Sequence, residues 1–400
     1  MEVWTRGAMQ TTVVELPHVS GELIEAWKDL ACRAAEPNAF FEAEFVLAAA
    51  RHLKSSSVYL AVFVEDGILK AALPVYSNRL WRGRGPRVVR SWVHRYCYLG
   101  TPMLDADQPL GALEGLLDEL NHWSGRQRIL AFALLGTGGP VESALNQATS
   151  TLRHEPVIGH SFERAVLYQD ENGSALGGRV RREVSRLGRR LEREMGAPAV
   201  IVERSGEPAA IDDFLELEAS GWKGANGTAM ASTPEHAQFF REVCADFARR
   251  GCLQLRSLEV SGRPVATKCN LISGNAVFCF KSAYDERYAS SSPGFQLEVH
   301  DMECFAVEGR LWEDSCTDPY NSMINRLWPG RRTLANVLVP PSRSTKAVLR
   351  PILALRKWSK EPRTASEVAD EFTTRPVSYT HLDVYKRQLL VWTVPVGGRW

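Results

Sequence analysis

A strand-like segment that runs into a loop of small residues is the first candidate for chemistry in this chain. Residues 278–297 are Phe-Cys-Phe-Lys-Ser-Ala-Tyr-Asp-Glu-Arg-Tyr-Ala-Ser-Ser-Ser-Pro-Gly-Phe-Gln-Leu, and Pro293-Gly294 open a predicted helix. The start of a helix presents unpaired N–H groups and a partial positive charge, which suit a diphosphate. The same residues also fit an ordinary strand-to-helix connection that Ser292 caps. Local physics leaves both interpretations open.

A helix predicted over Arg179 to Met195 carries the second candidate. Six arginines fall on one arc of this helix, and its apolar residues fall on another. The six are Arg179, Arg182, Arg186, Arg189, Arg190 and Arg193. Because the acidic residues lie off this arc, a bound anion is as consistent with the pattern as a solvated surface is.

The elements that must position these residues follow an alternating pattern, which predicts an α/β (α+β) chain with mixed sheets flanked by helices. Each half has helices, then a hairpin, then strand, helix and strand. Asp66-Gly67 and Gly262 mark the two hairpin turns. The glycine-rich stretch Arg79 to Arg90 is expected to be a loop, and Leu311 to Cys316 the final strand. Four segments are predicted: domains over 1–170 and 171–340, a basic and polar tail over 341–375, and residues 376–400.

The composition excludes several classes of protein. The chain has 400 residues, a net charge of +1 and 44% hydrophobic residues, as globular proteins do. Its eight cysteines form no CxxC or Cys/His cluster, so we expect no metal site. We find no signal peptide and no apolar run of about 18 residues, so a cytoplasmic location is expected. No nucleophile-elbow, P-loop or Rossmann pattern is present.

The chain resembles the cellulose-biosynthesis (CelD-like) acetyltransferases of the GNAT superfamily, which are related to Fem-type transferases. The resemblance rests first on a spaced motif that comprises Lys281, Tyr284, Asp285, Ser292, Pro293, Gly294 and Leu297. Further segments agree in order and spacing over about residues 20 to 340: 37–41, 65–74, 186–196, 222–224, 262–266 and 314–328. The resemblance implies two tandem GNAT-like domains, of which the second holds the acyl-donor site.

The resemblance also implies where acetyl-CoA, the expected donor, binds. The acyl thioester would lie beside a strand that splays from its neighbour, and the diphosphate would rest on the next helix start. The implied donor-binding residues are Phe280, Tyr284, Ser291, Ser292, Gly294, Phe295, Arg186 and Arg190. One departure from the GNAT pattern is that the phosphate loop has a single glycine.

Acyl transfer needs a base, an oxyanion donor and an acid. Backbone N–H of the splayed strand is the expected oxyanion donor, and Tyr320 is the candidate acid. Asp285, with its neighbour Glu286, and Asp314 are the candidate bases. Lys281 lies in an apolar strand and needs a partner. We expect Asp314 or Asp285 to pair with it, either as a structural ion pair or in catalysis.

Trp222 and Lys223 follow an apolar helix and precede a loop of small residues. They are candidates for an acceptor pocket, although a tryptophan there also fits the core.

The resemblance predicts transfer of an acetyl group to an amine or hydroxyl of a cell-envelope or exopolysaccharide precursor. One alternative is a Fem-type transferase that takes aminoacyl-tRNA, which the arginine helix favours and the lack of a long helical arm disfavours. Another is a non-catalytic GNAT scaffold in polysaccharide synthesis, which the missing glycines favour. The oligomeric state stays open.

The end of the chain differs in character from the rest. Residues 376–388 are Pro-Val-Ser-Tyr-Thr-His-Leu-Asp-Val-Tyr-Lys-Arg-Gln, which resembles translated sequencing-adapter DNA. We therefore expect residues 376–400 to be non-native and assign them no function.

Overall fold

A computed structural model describes residues 12–342, except 54–56, 82–83, 125–127, 152–154 and 170–176, together with 344–347 and 349. The expected non-native segment 376–400 and most of the tail 341–375 lie outside the described residues. Within the described part, no helix is both long and apolar enough to cross a membrane.

The first half of the chain has four α-helices and seven strands in its described part. The helices are α1 (Gly21–Cys32), α2 (Ala43–His52), α3 (Pro109–Ser124) and α4 (Pro140–Thr151). The strands are β1 (Thr12–Glu15), β2 (Tyr59–Glu65), β3 (Ile68–Trp81), β4 (Arg84–Ser91), β5 (Met103–Leu104), β6 (Ile129–Gly136) and β7 (Val157–Tyr168).

The second half has the same kinds of element in its described part. The helices are α5 (Gly178–Met195), α6 (Pro208–Ser220), α7 (Trp222–Ala225), α8 (Pro234–Arg249), α9 (Pro293–Phe305) and α10 (Ser322–Leu327). The strands are β8 (Ala199–Glu203), β9 (Leu253–Val260), β10 (Arg263–Ser273), β11 (Ala276–Tyr284), β12 (Trp312–Asp314) and β13 (Gly330–Val339).

Local sequence explains many of these boundaries. Ser20 accepts a hydrogen bond from the N–H of Leu23 and so caps α1. The predicted Asp66-Gly67 turn between β2 and β3 has positive φ at both residues (52° and 74°), as a two-residue hairpin turn requires. The expected helices and strands of both halves are therefore largely confirmed.

Thirteen strands form one continuous mixed sheet, which confirms the α/β (α+β) class. The strand order is β1-β2-β3-β4-β6-β13-β7-β12-β11-β10-β9-β8, with β5 beside β3. The two halves repeat one arrangement, in which a parallel strand follows three antiparallel strands and a helix: β6 beside β4, and β12 beside β11. The weak internal duplication in the sequence thus corresponds to a repeated topology.

Two local expectations were wrong. Residues 79–90 are not a loop, because β3 and β4 extend through most of them and pair with each other. The strand at 312–314 is not the last one, because β13 follows and pairs with both β6 and β7. The domain boundary at residue 170 stays a prediction. β13 follows that boundary in the chain, yet it pairs with β6 and β7, which precede it.

The largest hydrophobic core also contains residues from both halves. Phe40 of the first half packs edge to face against Phe278 of β11, with ring centroids 5.6 Å apart. Phe45 packs against Phe280 in the same way, at 5.6 Å. Because apolar burial is the main stabilising term in folding, the two halves depend on each other for stability.

Candidate functional site

The candidate site is a cleft where β11 and β12 separate. The two parallel strands pair at only three positions, and the last pair is Phe278 with Asp314. From Cys279 to Tyr284, β11 continues without β12 beside it. A flat ligand group such as a thioester could therefore approach the backbone edge of β11, which is where the family resemblance would place the donor.

A bulge distorts β11 inside this cleft. Cys269 of β10 pairs with Lys281, whereas the next residue, Asn270, pairs with Cys279. Phe280 is therefore an extra residue that the ladder does not accommodate, and such residues leave backbone groups unpaired. This position fits the expected oxyanion donor.

The corresponding opening in the first half is filled by the protein itself. The N–H of Gly100 donates to the carbonyl of Leu134 at 2.9 Å, so residues 98–101 lie along β6 where β4 has ended. A Cβ atom on Gly100 would lie 2.0 Å from the carbonyl oxygen of Ala133. This close backbone contact leaves no room for a donor between β4 and β6 in the described part of the first half.

The start of α9 adjoins the cleft but has few free amides. Pro293 has no N–H, and the N–H groups of Phe295 and Gln296 both donate to the carbonyl of Ser292. Ser292 itself has a positive φ of 47°. Fewer donors are therefore available for a diphosphate than at an ordinary helix start.

A carboxylate also lies at this loop. The hydroxyl of Ser291 donates to Glu194 of α5 at 2.8 Å, and that of Ser290 does so at 3.2 Å. Arg190 donates to the same carboxylate at 2.9 Å. Hydrogen bonds from Arg190 and then from Ser291 hold the pKa of Glu194 below its usual value. A phosphate here must displace this acid or bind beside it.

The other predicted donor residues are placed differently. Tyr284 lies against Gly294, where an added Cβ would be 3.6 Å from the tyrosine ring. Phe280 is buried in the shared core, and Phe295 is buried between α5, α9 and α10 with Arg326 over its ring. The structure thus brings Tyr284, Ser291 and Gly294 together at the cleft, with the phenylalanines packed behind.

The predicted arginine helix is confirmed as α5, which packs against α9. Only Leu187 and Leu191 of α5 are buried, and they belong to its apolar side. Arg179, Arg182, Arg186 and Arg189 are exposed, and the described residues provide no side-chain partner for them. Arg186 is therefore available to an anion, whereas Arg190 is already paired with Glu194.

The candidate bases at the strand ends are occupied by arginines. Asp314 is fully buried and paired with Arg164, whose Nε lies 2.6 Å from Oδ1. Burial alone would raise the pKa of Asp314, but Arg164 and Arg332 hold it below its usual value. Asp285 accepts from Arg287 Nε at 2.9 Å, and this bond lowers its pKa.

The expected partners of Lys281 were wrong, because Asp314 and Asp285 belong to these other pairs. Lys281 Nζ lies 4.7 Å from the ring centroid of Tyr96. Burial lowers the pKa of Lys281, and the nearby carboxylate of Glu218 opposes that effect. The amine remains a candidate for contact with a ligand because its side chain is only half-buried.

Tyr320 lies in the turn before α10 and is 57% exposed. Its backbone N–H donates to Asp318. The structure places this predicted acid on the surface, and its role stays a prediction.

Trp222 and Lys223 form part of α7, beside the outer end of β11. Lys223 Nζ donates to Glu218 at 2.8 Å and lies 3.5 Å from the carbonyl of Ser282. The N–H of Trp222 donates to Glu286 at 2.9 Å, so this candidate base is also bonded. Both predicted acceptor residues are half-buried next to the cleft.

The sequence missed the first-half residues that line the cleft. Residues 92–98 follow β4 and place Tyr96 and Tyr98 against β11, with the Tyr98 ring 6.4 Å from Phe280. Arg164 fixes this segment by donating to the carbonyl of Tyr98 at 2.7 Å. The aromatic residues between Trp92 and Tyr98 could have indicated a binding site. Their contact with β11 was not predicted because the two segments are far apart in the sequence.

Residues 178–320 match the family model of the acetyltransferase (GNAT) domain. This stretch contains the cleft between β11 and β12 and the start of α9. The second half thus resembles a GNAT domain over these residues. Among the described residues, no group of histidine, cysteine and acidic side chains could hold a metal ion.

Several solved structures have a fold similar to that of the matched stretch and the first half taken together. FemX is 9% identical with a TM-score of 0.55, covering 86% of this chain and 100% of its own. L-PGS from Bacillus licheniformis is 12% identical with a TM-score of 0.50, covering 87% and 99%. These identities support a shared fold and no more. A search of curated proteins gives no match.

The C-terminal domain of a protein assigned as lysylphosphatidylglycerol synthetase, from Agrobacterium fabrum, is also similar. It is 13% identical with a TM-score of 0.50, covering 83% of this chain and 95% of its own. The described fold of both halves is therefore one that solved proteins share over nearly their whole length.

Proposed function

We propose that the chain is an acyltransferase that moves an acetyl group from acetyl-CoA onto an amine or hydroxyl. The observation that carries this proposal is the open cleft between β11 and β12, within the stretch that matches a GNAT domain. The acceptor we propose, a cell-envelope or exopolysaccharide precursor, rests on the sequence resemblance alone. We also propose that transfer occurs in the cytoplasm.

The bulge at Phe280 supports this chemistry. An unpaired backbone N–H of β11 would donate to the carbonyl oxygen as negative charge develops there. Tyr284 and Gly294 would then flank the pantetheine arm, and Ser292 would lie beside the diphosphate. Trp222 and Lys223 would contact the acceptor on the other side of β11.

A second donor, aminoacyl-tRNA, is favoured by the start of α9 and by α5. Glu194 already lies on Ser290 and Ser291, and few amides remain free for a diphosphate. The unpaired arginines of α5 suit a larger polyanion. The similarity in fold to FemX agrees with this candidate, because Fem-type transferases take aminoacyl-tRNA.

A thermal-shift titration of the chain with acetyl-CoA tests the first donor. A ligand that binds only the folded state raises the melting temperature with its concentration. We expect a rise that Gly294→Glu abolishes, since its side chain would project beside Tyr284. Gly294→Ala is the matched control, because an added Cβ makes only ordinary contact with Tyr284. Absence of any shift at millimolar acetyl-CoA would exclude this donor.

The double variant Arg186→Ala/Arg189→Ala separates the two donors. If a tRNA is the donor, filter binding of total aminoacyl-tRNA should weaken and its salt dependence should become shallower. Arg249→Ala is the control, since this exposed arginine lies on α8 and pairs with Asp246. If the chain is a scaffold without catalysis, neither donor will be consumed at any concentration.

A further inference from the structure

A tyrosine and a histidine from opposite halves meet at the mouth of the cleft. Tyr96 Oη lies 3.1 Å from His236 Nδ1, and the two rings are edge to face with centroids 5.4 Å apart. Phe239 stacks on Tyr96 at 5.4 Å and holds the ring in place. The phenol ring is buried, whereas His236 is half-buried at the start of α8. The pair is thus both fixed and close to solvent.

The pair is also next to the part of β11 that the proposed acyl transfer uses. Lys281, whose ammonium group lies over the Tyr96 ring, is the residue directly after the bulged Phe280. An acyl carbonyl at the bulge would therefore lie within one residue of the strand segment that contacts Tyr96. The ammonium group is attracted to the face of the aromatic ring, which helps to hold the phenol in this position.

We propose that Tyr96 accepts the proton of the attacking amine or hydroxyl, and that His236 is the positioning residue that receives the phenol proton in turn. This inference rests on the proposed function. It would supply a base in place of the candidates Asp285 and Asp314, which are bonded to arginines. The catalytic group would then come from outside residues 178–320.

The step balances in atoms and charge. The acceptor nitrogen or oxygen forms a bond to the acyl carbon, and the carbon–sulfur bond of the thioester breaks. The acceptor proton moves to Tyr96 Oη as the phenol proton moves to His236 Nδ1. The thiolate leaves with the electron pair of the broken bond and takes a proton from water. The imidazolium then returns its proton to solvent through Tyr96.

Burial, more than the neighbouring charges, keeps the His236 ring neutral so that Nδ1 can accept a proton. Burial lowers its pKa to about 4, and the positive charge of Arg95 adds to this effect. Lys281 acts in the same direction, while Glu235 opposes it. His94, which lies nearby, is held neutral too, because burial lowers its pKa to about 3.

Steady-state kinetics tests the role of the pair, with acetyl-CoA as donor, glucosamine as acceptor probe and thiol release as the signal. We expect Tyr96→Phe to lower kcat about 100-fold, as loss of a general base does. The KM for acetyl-CoA should stay within a factor of about three, because Tyr96 contacts the acceptor. Tyr168→Phe, at an exposed tyrosine on β7, is the matched control.

The pH profile separates His236 from a merely structural residue. In the unmodified protein, kcat should fall as pH drops towards 4, since a protonated imidazole cannot accept the phenol proton. His236→Gln should have a lower kcat without that dependence. His122→Gln, at an exposed histidine on α3, should leave both the rate and the profile unchanged. Unchanged kcat and profile in Tyr96→Phe and His236→Gln would overturn the proposal.

Nitrogen-15 NMR of the histidine rings gives a test that needs no turnover. We expect His236 to be neutral at pH 6 with its proton on Nε2, and Tyr96→Phe to change that tautomer. A ring proton on Nδ1, or a charged ring at pH 6, would refute the proton transfer. Absence of turnover in the unmodified protein with an intact tautomer would instead contradict the choice of donor or acceptor.

Discussion

Lys268 illustrates at the level of single residues how this chain keeps ionisable groups inside its sheet. Its ammonium group lies 2.5 Å from Asp301, 3.0 Å from Glu298 and 3.3 Å from Glu313. Arg256 also pairs with Asp301. Two cations thus face three buried acids. One acid must hold a proton at neutral pH, because an uncompensated buried charge is costly.

Burial raises the pKa of both Glu298 and Glu313, and we assign the proton to Glu313, whose protonation makes stability depend on pH. Burial raises its pKa from 4.5 to about 8, although Lys268 opposes the shift. Between these values the folded state holds the proton and the unfolded state releases it. The free energy of unfolding therefore falls as pH rises through this window, by on the order of a few kcal/mol.

Glu313→Gln should remove this dependence, because glutamine resembles the protonated acid. We expect urea unfolding of the variant to be nearly level from pH 6 to 9, while that of the unmodified protein declines. Glu303→Gln, at a glutamate on α9 whose side chain is 47% exposed, should follow the unmodified curve. Parallel slopes for Glu313→Gln and the unmodified protein would show that Glu313 is already ionised at pH 6.

At the level of elements, the sequence predicts those turns and helices that a few neighbouring residues determine. The Asp66-Gly67 turn and the apolar stripe of α5 depend on a few adjacent positions, and both are as predicted. β13 was missed because its partners, β6 and β7, precede it by more than 150 residues, and local patterns contain no information about such pairing. The same distance concealed Tyr96 and left Lys281 with the wrong partners.

The segment 98–101, which fills the opening in the first half, leads to a prediction at Gly100. Gly100→Ala would place a Cβ 2.0 Å from the Ala133 carbonyl oxygen and 2.9 Å from Val93. We expect a loss of about 1–3 kcal/mol in urea unfolding, as overpacking costs. Gly111→Ala, in α3 with its nearest atom 3.8 Å away, should instead be neutral or stabilising. Equal stability of Gly100→Ala and the unmodified protein would mean that this segment moves easily away from β6.

At the level of the whole molecule, strand pairing and buried charges join the halves in addition to the shared core. β13 of the second half is paired on both sides by strands of the first. A buried ion-pair network also links the halves, since Arg332 contacts both Glu36 at 3.2 Å and Asp314 at 3.3 Å. Opening one half would expose both this strand and these charges. The sequence pattern of two repeated units favoured domains that unfold independently, whereas the continuous sheet favours cooperative unfolding of both halves.

We therefore predict one unfolding transition for the described fold, although chains of two units often unfold in steps. The urea unfolding curves from circular dichroism and from tryptophan fluorescence should coincide, because buried Trp27 and Trp328 lie in opposite halves. Leu338→Ala on β13 should lower the free energy of unfolding by about 2–5 kcal/mol and keep a single transition. Val307→Ala, at a side chain that is 83% exposed, should leave the free energy of unfolding unchanged. If Leu338→Ala instead separates the curves into two transitions, β13 does not couple the halves. A donor bound in the second-half cleft would then stabilise that half alone, whereas coupling requires it to stabilise both.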